Sequence, residues 1–319
     1  MTEPLVRRLH ARGECITVGA LPWVAPVYRA MPQVAQVLEF PFAHGGLQWR
    51  ARREWAKRLR GQFDKAYVCP NSLKSALLPW WADIPTRIGY LGESRYGLLN
   101  QRLPNPPKGE RPPMVAFYSA LSGAADAEIQ TDKPTFNLPL APVQSALKAM
   151  NLVANAYYVF APGAEYGSAK RWPAHHFADL AARLPLPVVL LGSGKEAALC
   201  QDIADAANAA GGRCHNWAGK TTLDQALAAI AAAKAMVSND SGLMHVAAAF
   251  GVPQVAIFGS SSPLHTPPLS DKAHILWLKL ECAPCFQREC PLSGERHTQC
   301  LEKIQPAQVL RFIPLPPNS

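Results

Sequence analysis

An α/β fold with parallel sheets is what this chain predicts, and three observations predict it. Short apolar strands alternate with helical patterns along the whole length of 319 residues. That rhythm breaks once, across residues 124–142, where the chain turns polar and carries Pro134, Pro139 and Pro142. Residues 237–263, VSNDSGLMHVAAAFGVPQVAIFGSSSP, read as strand, loop, Ala-rich helix, second strand and small-residue loop. Two Rossmann-like halves facing one another across a cleft result, with domains at 1–150 and 151–319.

Taken in order, MTEPLVRRLHARG opens the chain as a helix, with Leu5, Val6 and Leu9 apolar and Arg7, Arg8 and Arg12 polar. A half of this kind ordinarily opens on a buried strand and a ligand loop. Either the fold starts unusually or the sequence is truncated at its front. Strands follow near 16–18, 36–38, 66–69 and 87–89, with helices near 23–31, 47–60, 73–81 and 114–121. The second half restarts at 157–161 and continues through 187–191, 214–217, 235–237 and 254–258. Helices near 175–183, 197–210 and 223–232 fill those gaps. A final helix around 306–312 is expected to pack back on the first domain.

Composition narrows the partners. The hydrophobic content of 49% is ample for two cores. A net charge of +9 and a pI near 9.2 call for an anionic partner: nucleotide, phosphorylated glycan, membrane surface or nucleic acid. Nucleic acid ranks last, because no aromatic-spaced basic motif is present. No apolar run reaches the length of a membrane span. The first residues carry Arg7, Arg8, Arg12 and Glu14 without an apolar core, so no signal peptide is read there and a cytoplasmic chain with mainly reduced cysteines is expected.

Several segments could hold an anion. Asp240 or Ser241 can cap the helix that begins at Gly242, and the free N–H groups of its first turn suit phosphate. His245 lies one turn in, either as a packed core residue or as a cleft residue. Upstream, PGAEYGSAKRWP (162–173) places Lys170 and Arg171 before a helix start. These two are either a solvated basic pair or cations over a diphosphate. The loop Gly192-Ser193-Gly194-Lys195-Glu196 is a third, weaker candidate, too short for a dinucleotide fingerprint. In the first half, Asn71 to Ser75 follow a strand at a helix start, with Arg87 and Arg95 close by in sequence. The run from Arg50 to Arg60 holds six basic residues and one acid. It is either the solvated face of a helix or a contact for an anionic membrane or acceptor. Cys282, Cys285, Cys290 and Cys300, with His297 among them, suggest zinc more than disulfides, although the spacing matches no common zinc module.

These residues resemble a known family. NDSGLMHVAAA with the following small-residue loop, PGAEYGSAKRWP, and PNSLKSALLPWWADIPTRIGYLGESRYGLLN are similar to the ADP-heptose:lipopolysaccharide heptosyltransferases of glycosyltransferase family 9. The resemblance covers nearly the whole chain and implies a GT-B fold. It implies inverting transfer of L-glycero-D-manno-heptose from ADP-heptose to the first inner-core heptose. The acceptor would be a heptosylated Kdo–lipid A at the inner face of the inner membrane, reached by peripheral contact. Lys170 looks like the family's diphosphate-binding lysine. Asp240, Ser241, Gly242 and His245 look like its donor loop, and Glu165, Tyr166 and Thr221 fall where the family contacts nucleotide or heptose. Asn71, Lys74, Arg87 and Arg95 are the acceptor-side candidates. No cofactor is implied for the chemistry, and the cysteine cluster, a possible structural zinc site, looks like one found in many members.

One departure matters. The family opens with a strand and a Gly-Asp loop whose Asp is the general base, with a Met shortly after. Met1-Thr2-Glu3-Pro4-Leu5 looks like the sequence from that Met onward, which leaves the base and the first strand outside the chain and the catalytic residue unassigned. Glu3 would sit on a helix and not in the loop. Loss of a positioned base costs roughly 10²–10⁴-fold. Two alternatives therefore stand beside the transferase: a catalytically silent nucleotide-sugar-binding homologue, and a related transferase with another acceptor.

Overall fold

The computed structural model describes residues 1–43, 46–107, 110–125, 129 and 132–316. The chain forms two compact units, Met1–Asp132 and Lys133–Ser319. Within the first, helix α1 (Glu3–Ala11) opens as the sequence predicts. It has Pro4 in its first turn, where a missing N–H costs nothing, and buries Leu5, Val6 and Leu9. Parallel strands β1 (Ile16–Ala20) and β2 (Val34–Glu39) follow, with the short helix α2 (Ala25–Arg29) between them. Next come α3 (Trp49–Leu59), β3 (Lys65–Val68), α4 (Leu73–Trp81), β4 (Thr86–Tyr90), β5 (Gln101–Leu103) and α5 (Met114–Ser119).

The described strands of this unit make two parallel sheets, β1-β2 and β3-β4-β5. They share their cores. Ile16 of β1 and Tyr67 of β3 both pack on the cluster of Leu5, Leu9, Ile88, Tyr90 and Phe117. A second cluster gathers Leu38 and Phe40 with Ala66, Ala56, Leu59 and Leu78.

The second unit is one six-stranded, wholly parallel sheet ordered β11-β10-β9-β6-β7-β8. Its strands are β6 (Tyr158–Ala161), β7 (Val188–Leu190), β8 (Cys214–Asn216), β9 (Ala235–Asn239), β10 (Gln254–Ile257) and β11 (Ala273–Leu276). The residues of β6, β7, β9 and β10 are all buried, as unbroken apolar runs in a doubly covered parallel sheet require. The helices are α6 (Leu140–Ala149), α7 (Ala174–Arg183), α8 (Ala197–Ala209), α9 (Leu223–Ala231), α10 (Gly242–Ala249), α11 (Gln299–Glu302) and α12 (Pro306–Leu310). A Thr222–Gln225 capping box starts α9.

The boundary between the halves differs from the sequence reading. The units part at 132/133 and not at 150, because α6 packs against α9 of the second unit. Residues 126–128, 130 and 131 of the expected linker lie outside the described residues. The final helix, expected against the first domain, is α12. It packs on α7, and Val309 and Ile313 are buried with Phe177 and Leu180.

Candidate donor site at the switch point of the second sheet

Strand order positions the site. From β6 the chain winds outward through β7 to β8, then returns to β9 on the other side of β6 and continues to β11. Connections therefore diverge between β6 and β9, and open α/β sheets bind ligands outside the carboxyl ends of strands at such a switch point. The loop after β6 carries Lys170, and the loop after β9 carries Asp240.

The two loops meet. Lys170 Nζ lies 2.5 Å from Asp240 Oδ2, with 20% and 8% of the side chains exposed. Thr266 donates its hydroxyl to Asp240 Oδ1 at 3.4 Å. Asn239, fully buried at the end of β9, fastens the loops together. Its Oδ1 accepts the Trp172 N–H at 2.9 Å and its Nδ2 donates to the Pro162 carbonyl at 2.7 Å. Sequence reasoning passed over Asn239 and Thr266, since neither type stands out in NDSG or in a proline-rich loop.

Asp240 does not cap α10, being engaged by Lys170. Ser241 occupies the N-cap position without a side-chain capping bond. The hydroxyls of Ser241, Ser260 and Ser261 are buried and have no hydrogen-bond partner. Register pairs Ile257 with Asn239, so the loop holding Ser260 and Ser261 springs from the strand beside the Asp240 loop. Buried hydroxyls left unmatched are costly, and a ligand rich in acceptor oxygens would satisfy them. Gly242 opens α10 with open space where a side chain would stand.

His245 is half-buried on α10. Desolvation, together with the Lys170 ammonium and against the pull of Asp240, lowers its imidazole to about 4. The ring is neutral near pH 7, able to accept or donate one hydrogen bond. Glu165 and Tyr166 are exposed on the Lys170 loop, and the Lys170 ammonium faces the Tyr166 ring at 5.5 Å. Arg171 donates weakly to the Ala164 carbonyl at 3.5 Å. Thr221 is half-buried beyond β8, at the edge of the sheet and two strands from β6. A surface recess lined by Asn208, His215 and Lys220 also lies along β8, away from both loops.

Several of the remaining anion candidates make internal bonds. In the 192–196 loop the Glu196 carboxylate accepts the Ser193 N–H at 2.7 Å, so the turn supplies its own anion. At the start of α4, Glu93 takes the Leu73 N–H at 2.7 Å. Asn71 gives its side-chain oxygen to Arg95 at 3.2 Å, and Lys74 is half-buried in the first turn.

Arg95 is fully buried and donates to the carbonyls of Pro70 and Tyr90. Arg87 donates to Leu98 and Ile84 carbonyls at 2.7 and 2.6 Å, near the amino end of β4. These guanidiniums knit loops through backbone carbonyls. In α3, Arg52 is likewise buried over the Phe42 ring at 4.1 Å, whereas Arg50, Arg53 and Arg58 are exposed.

All eight cysteines are free thiols. Burial pushes the Cys300 thiol up to about 11, with the thiols of Cys282, Cys285 and Cys290 adding to the shift. All four therefore sit within electrostatic reach. The Thr298 N–H points to Cys290 Sγ at 3.3 Å and Gln299 Nε2 to Cys282 Sγ at 3.6 Å. No three of the four thiols lie mutually within 4.8 Å, so the structure does not gather them as a tetrahedral zinc site requires. The sequence also gave no hint of a second constellation, in which ligand atoms of His175, His176 and Glu302 lie within 4.8 Å of one another.

Comparison with known proteins agrees with this architecture. The family model described as glycosyltransferase family 9 (heptosyltransferase) matches residues 52–295. Lipopolysaccharide heptosyltransferase 2 of Escherichia coli K12 is 43% identical, covering 98% of this chain and 93% of its own length. Lipooligosaccharide heptosyltransferase 2 of Haemophilus influenzae is 42% identical, covering 82% of this chain and 80% of its own. The structure of the E. coli ADP-heptose LPS heptosyltransferase II superposes with a TM-score of 0.81 at 37% identity, covering 98% of this chain and 92% of that one. With its parallel α/β sheets and this match, the chain belongs to glycosyltransferase family 9, the heptosyltransferases, enzymes of the GT-B fold.

Proposed function

We propose that this glycosyltransferase moves L-glycero-D-manno-heptose from ADP-heptose to the first inner-core heptose of lipopolysaccharide, with inversion. One observation carries the donor half. At the switch point, a Lys170–Asp240 pair stands among three buried serine hydroxyls that lack partners. That set suits a diphosphate beside a polyhydroxylated sugar. Lys170 and the first amides of α10 would hold the diphosphate, while Asp240 accepts hydroxyls of the heptose. Glu165, Tyr166 and Thr221 would line the nucleotide side.

The chemistry follows from charge. Departure of ADP builds negative charge on the β-phosphate, and an ammonium plus a helix N-terminus stabilise it without a resident metal. A preorganised donor of this kind is worth about 10²–10³ in rate. Neutral His245, one turn into α10, contributes a hydrogen bond and not a second cation. Asn71 and Lys74, at the carboxyl end of β3, would contact the acceptor, and Arg95 would shape that loop from beneath.

The acceptor in this reading is lipid-borne, and the first unit offers a surface for a peripheral membrane contact. No described helix is long and apolar enough to cross a membrane. On α3 and α4, however, Trp49 and Trp80 are exposed, Trp49 packs edge-on against Trp81, and Arg50, Arg53 and Arg58 face solvent. Interfacial tryptophans beside arginines suit an anionic bilayer face, which here is the cytoplasmic side of the inner membrane.

Calorimetric titration with ADP-heptose, paired with transfer to a heptosylated Kdo–lipid A acceptor, tests the reading. Binding with transfer supports it. Binding without transfer favours a silent nucleotide-sugar-binding homologue, and no binding refutes the donor site.

A further inference from the structure

The loop bearing three of the four clustered thiols touches both donor loops. Phe286 donates its N–H to the Ser260 carbonyl at 2.7 Å, and Tyr166 donates its hydroxyl to the Phe286 carbonyl at 3.4 Å. The Arg288 carbonyl accepts the Ala169 N–H at 3.0 Å, and its guanidinium lies over the Tyr166 ring at 5.2 Å. Backbone approach is closest at Gly167, where a Cβ would stand 2.1 Å from the Arg288 oxygen. Only glycine permits that contact.

Support for the Lys170 loop is otherwise concentrated at its ends. Asn239 pins Pro162 at one end and Trp172 at the other. Between them, apart from the Lys170–Asp240 pair, the hydrogen bonds described above that leave the loop go to Phe286 and Arg288. Those two residues stand between Cys285 and Cys290. The thiols in turn are tied to the start of α11 through Thr298 and Gln299.

We propose that residues 286–288 form a brace positioning the Lys170 loop, anchored by the contacts of Cys282 and Cys290 with the start of α11, so that loosening this anchor weakens the donor site's affinity for a nucleoside diphosphate. This rests on the donor-site reading above. Arg288 and Phe286 act through Tyr166 and Ala169 and are positioning residues. With Cys282 and Cys290 tied to α11 the 286–288 backbone is fixed, and loss of those contacts lets the Ser260 and Lys170 loops drift apart. The expected coupling is roughly fivefold or more in ADP dissociation constant, the lower end for linked sites.

Two measurements on the full chain test this. The first is calorimetric titration with ADP of the wild type, Gly167→Ala, and Cys282→Ser/Cys290→Ser, with circular dichroism confirming the fold. Weakened ADP binding in both variants supports the brace. Wild-type affinity in Gly167→Ala overturns it, and weakening in Gly167→Ala alone overturns the link to the thiols. The second is amide hydrogen exchange over residues 164–171 without nucleotide. Faster exchange at Ala169 in the double-serine variant supports the brace, and unchanged exchange overturns it. Because that readout needs no ligand, a wild type that fails to bind ADP refutes the donor-site reading while the brace is still decided.

Discussion

Replacing Lys170 with methionine removes the ammonium and keeps the volume, and its consequences divide into two parts. The first is structural. Asp240 has 8% of its side chain exposed, and without Lys170 it keeps only the long Thr266 contact at 3.4 Å. Stranding a buried charge costs about 3–5 kcal/mol. Lys170 retains 20% of its surface, so the lower end, about 3 kcal/mol, applies here. The second part is functional. If Lys170 meets the departing diphosphate, its removal should cost about 10²–10³ in turnover. The two parts separate in Lys170→Met/Asp240→Asn, where no charge is stranded. Urea unfolding should show the double variant recovering most of the lost stability. Calorimetry with ADP and a transfer assay should show no recovery of function. If the double variant regains ADP affinity and turnover, Lys170 is a structural partner of Asp240 and the diphosphate role is refuted.

Three further outcomes are expected. The folded-state pKa of His245, about 4, lies below its ordinary 6.5, so the unfolded chain binds the proton first and stability falls as pH drops from about 6.5 toward 4. Between pH 7 and pH 5 the loss should be about 2 kcal/mol, it should be absent in His245→Gln, and unfolding free energies at those two pH values measure it. Arg95→Met should destabilise by about 3 kcal/mol or more, because the Pro70 and Tyr90 carbonyls lose a buried donor, yet ADP affinity should be unchanged; Arg87→Ala should leave the acceptor KM near wild type. Arg50→Glu/Arg53→Glu/Arg58→Glu should reduce co-sedimentation with anionic vesicles by about 1 kcal/mol for each arginine that reaches the surface, with no change on zwitterionic vesicles.

How much of this was legible before any coordinates depends on the kind of information each feature carries. Strands β6, β9 and β10 are apolar runs ended by small residues, a local pattern, and the chain declares them. The switch point follows almost as directly, since a strand–loop–helix ending in NDSG must place its amides at the carboxyl edge of a parallel sheet. Charged residues are another matter. Lys170 and Arg95 look alike as letters, but one faces the donor loop and the other is fully buried beneath a loop of the first unit. The difference is set by which carbonyls lack donors, and that is a tertiary fact. The same holds for Asn239 and for the Arg288 carbonyl, whose partners lie 67 to 119 positions away in the chain.

The pairing of Lys170 with Asp240 alters the electrostatics that the sequence implied. Counted as letters, the donor site presents a cation ready for an anion. Counted as a pair 2.5 Å apart, it presents a near-neutral unit, and an arriving diphosphate must compete with a carboxylate for the ammonium. What draws the anion is then the set of groups with no prior partner: the first amides of α10 and the hydroxyls of Ser241, Ser260 and Ser261. Asp240, released from Lys170, must find donors at once, and sugar hydroxyls are the donors that arrive with the nucleotide. A nucleoside diphosphate without its sugar satisfies only the lysine side of that exchange. In the proposed donor site, recognition of the sugar would thereby be built into the affinity for the phosphates.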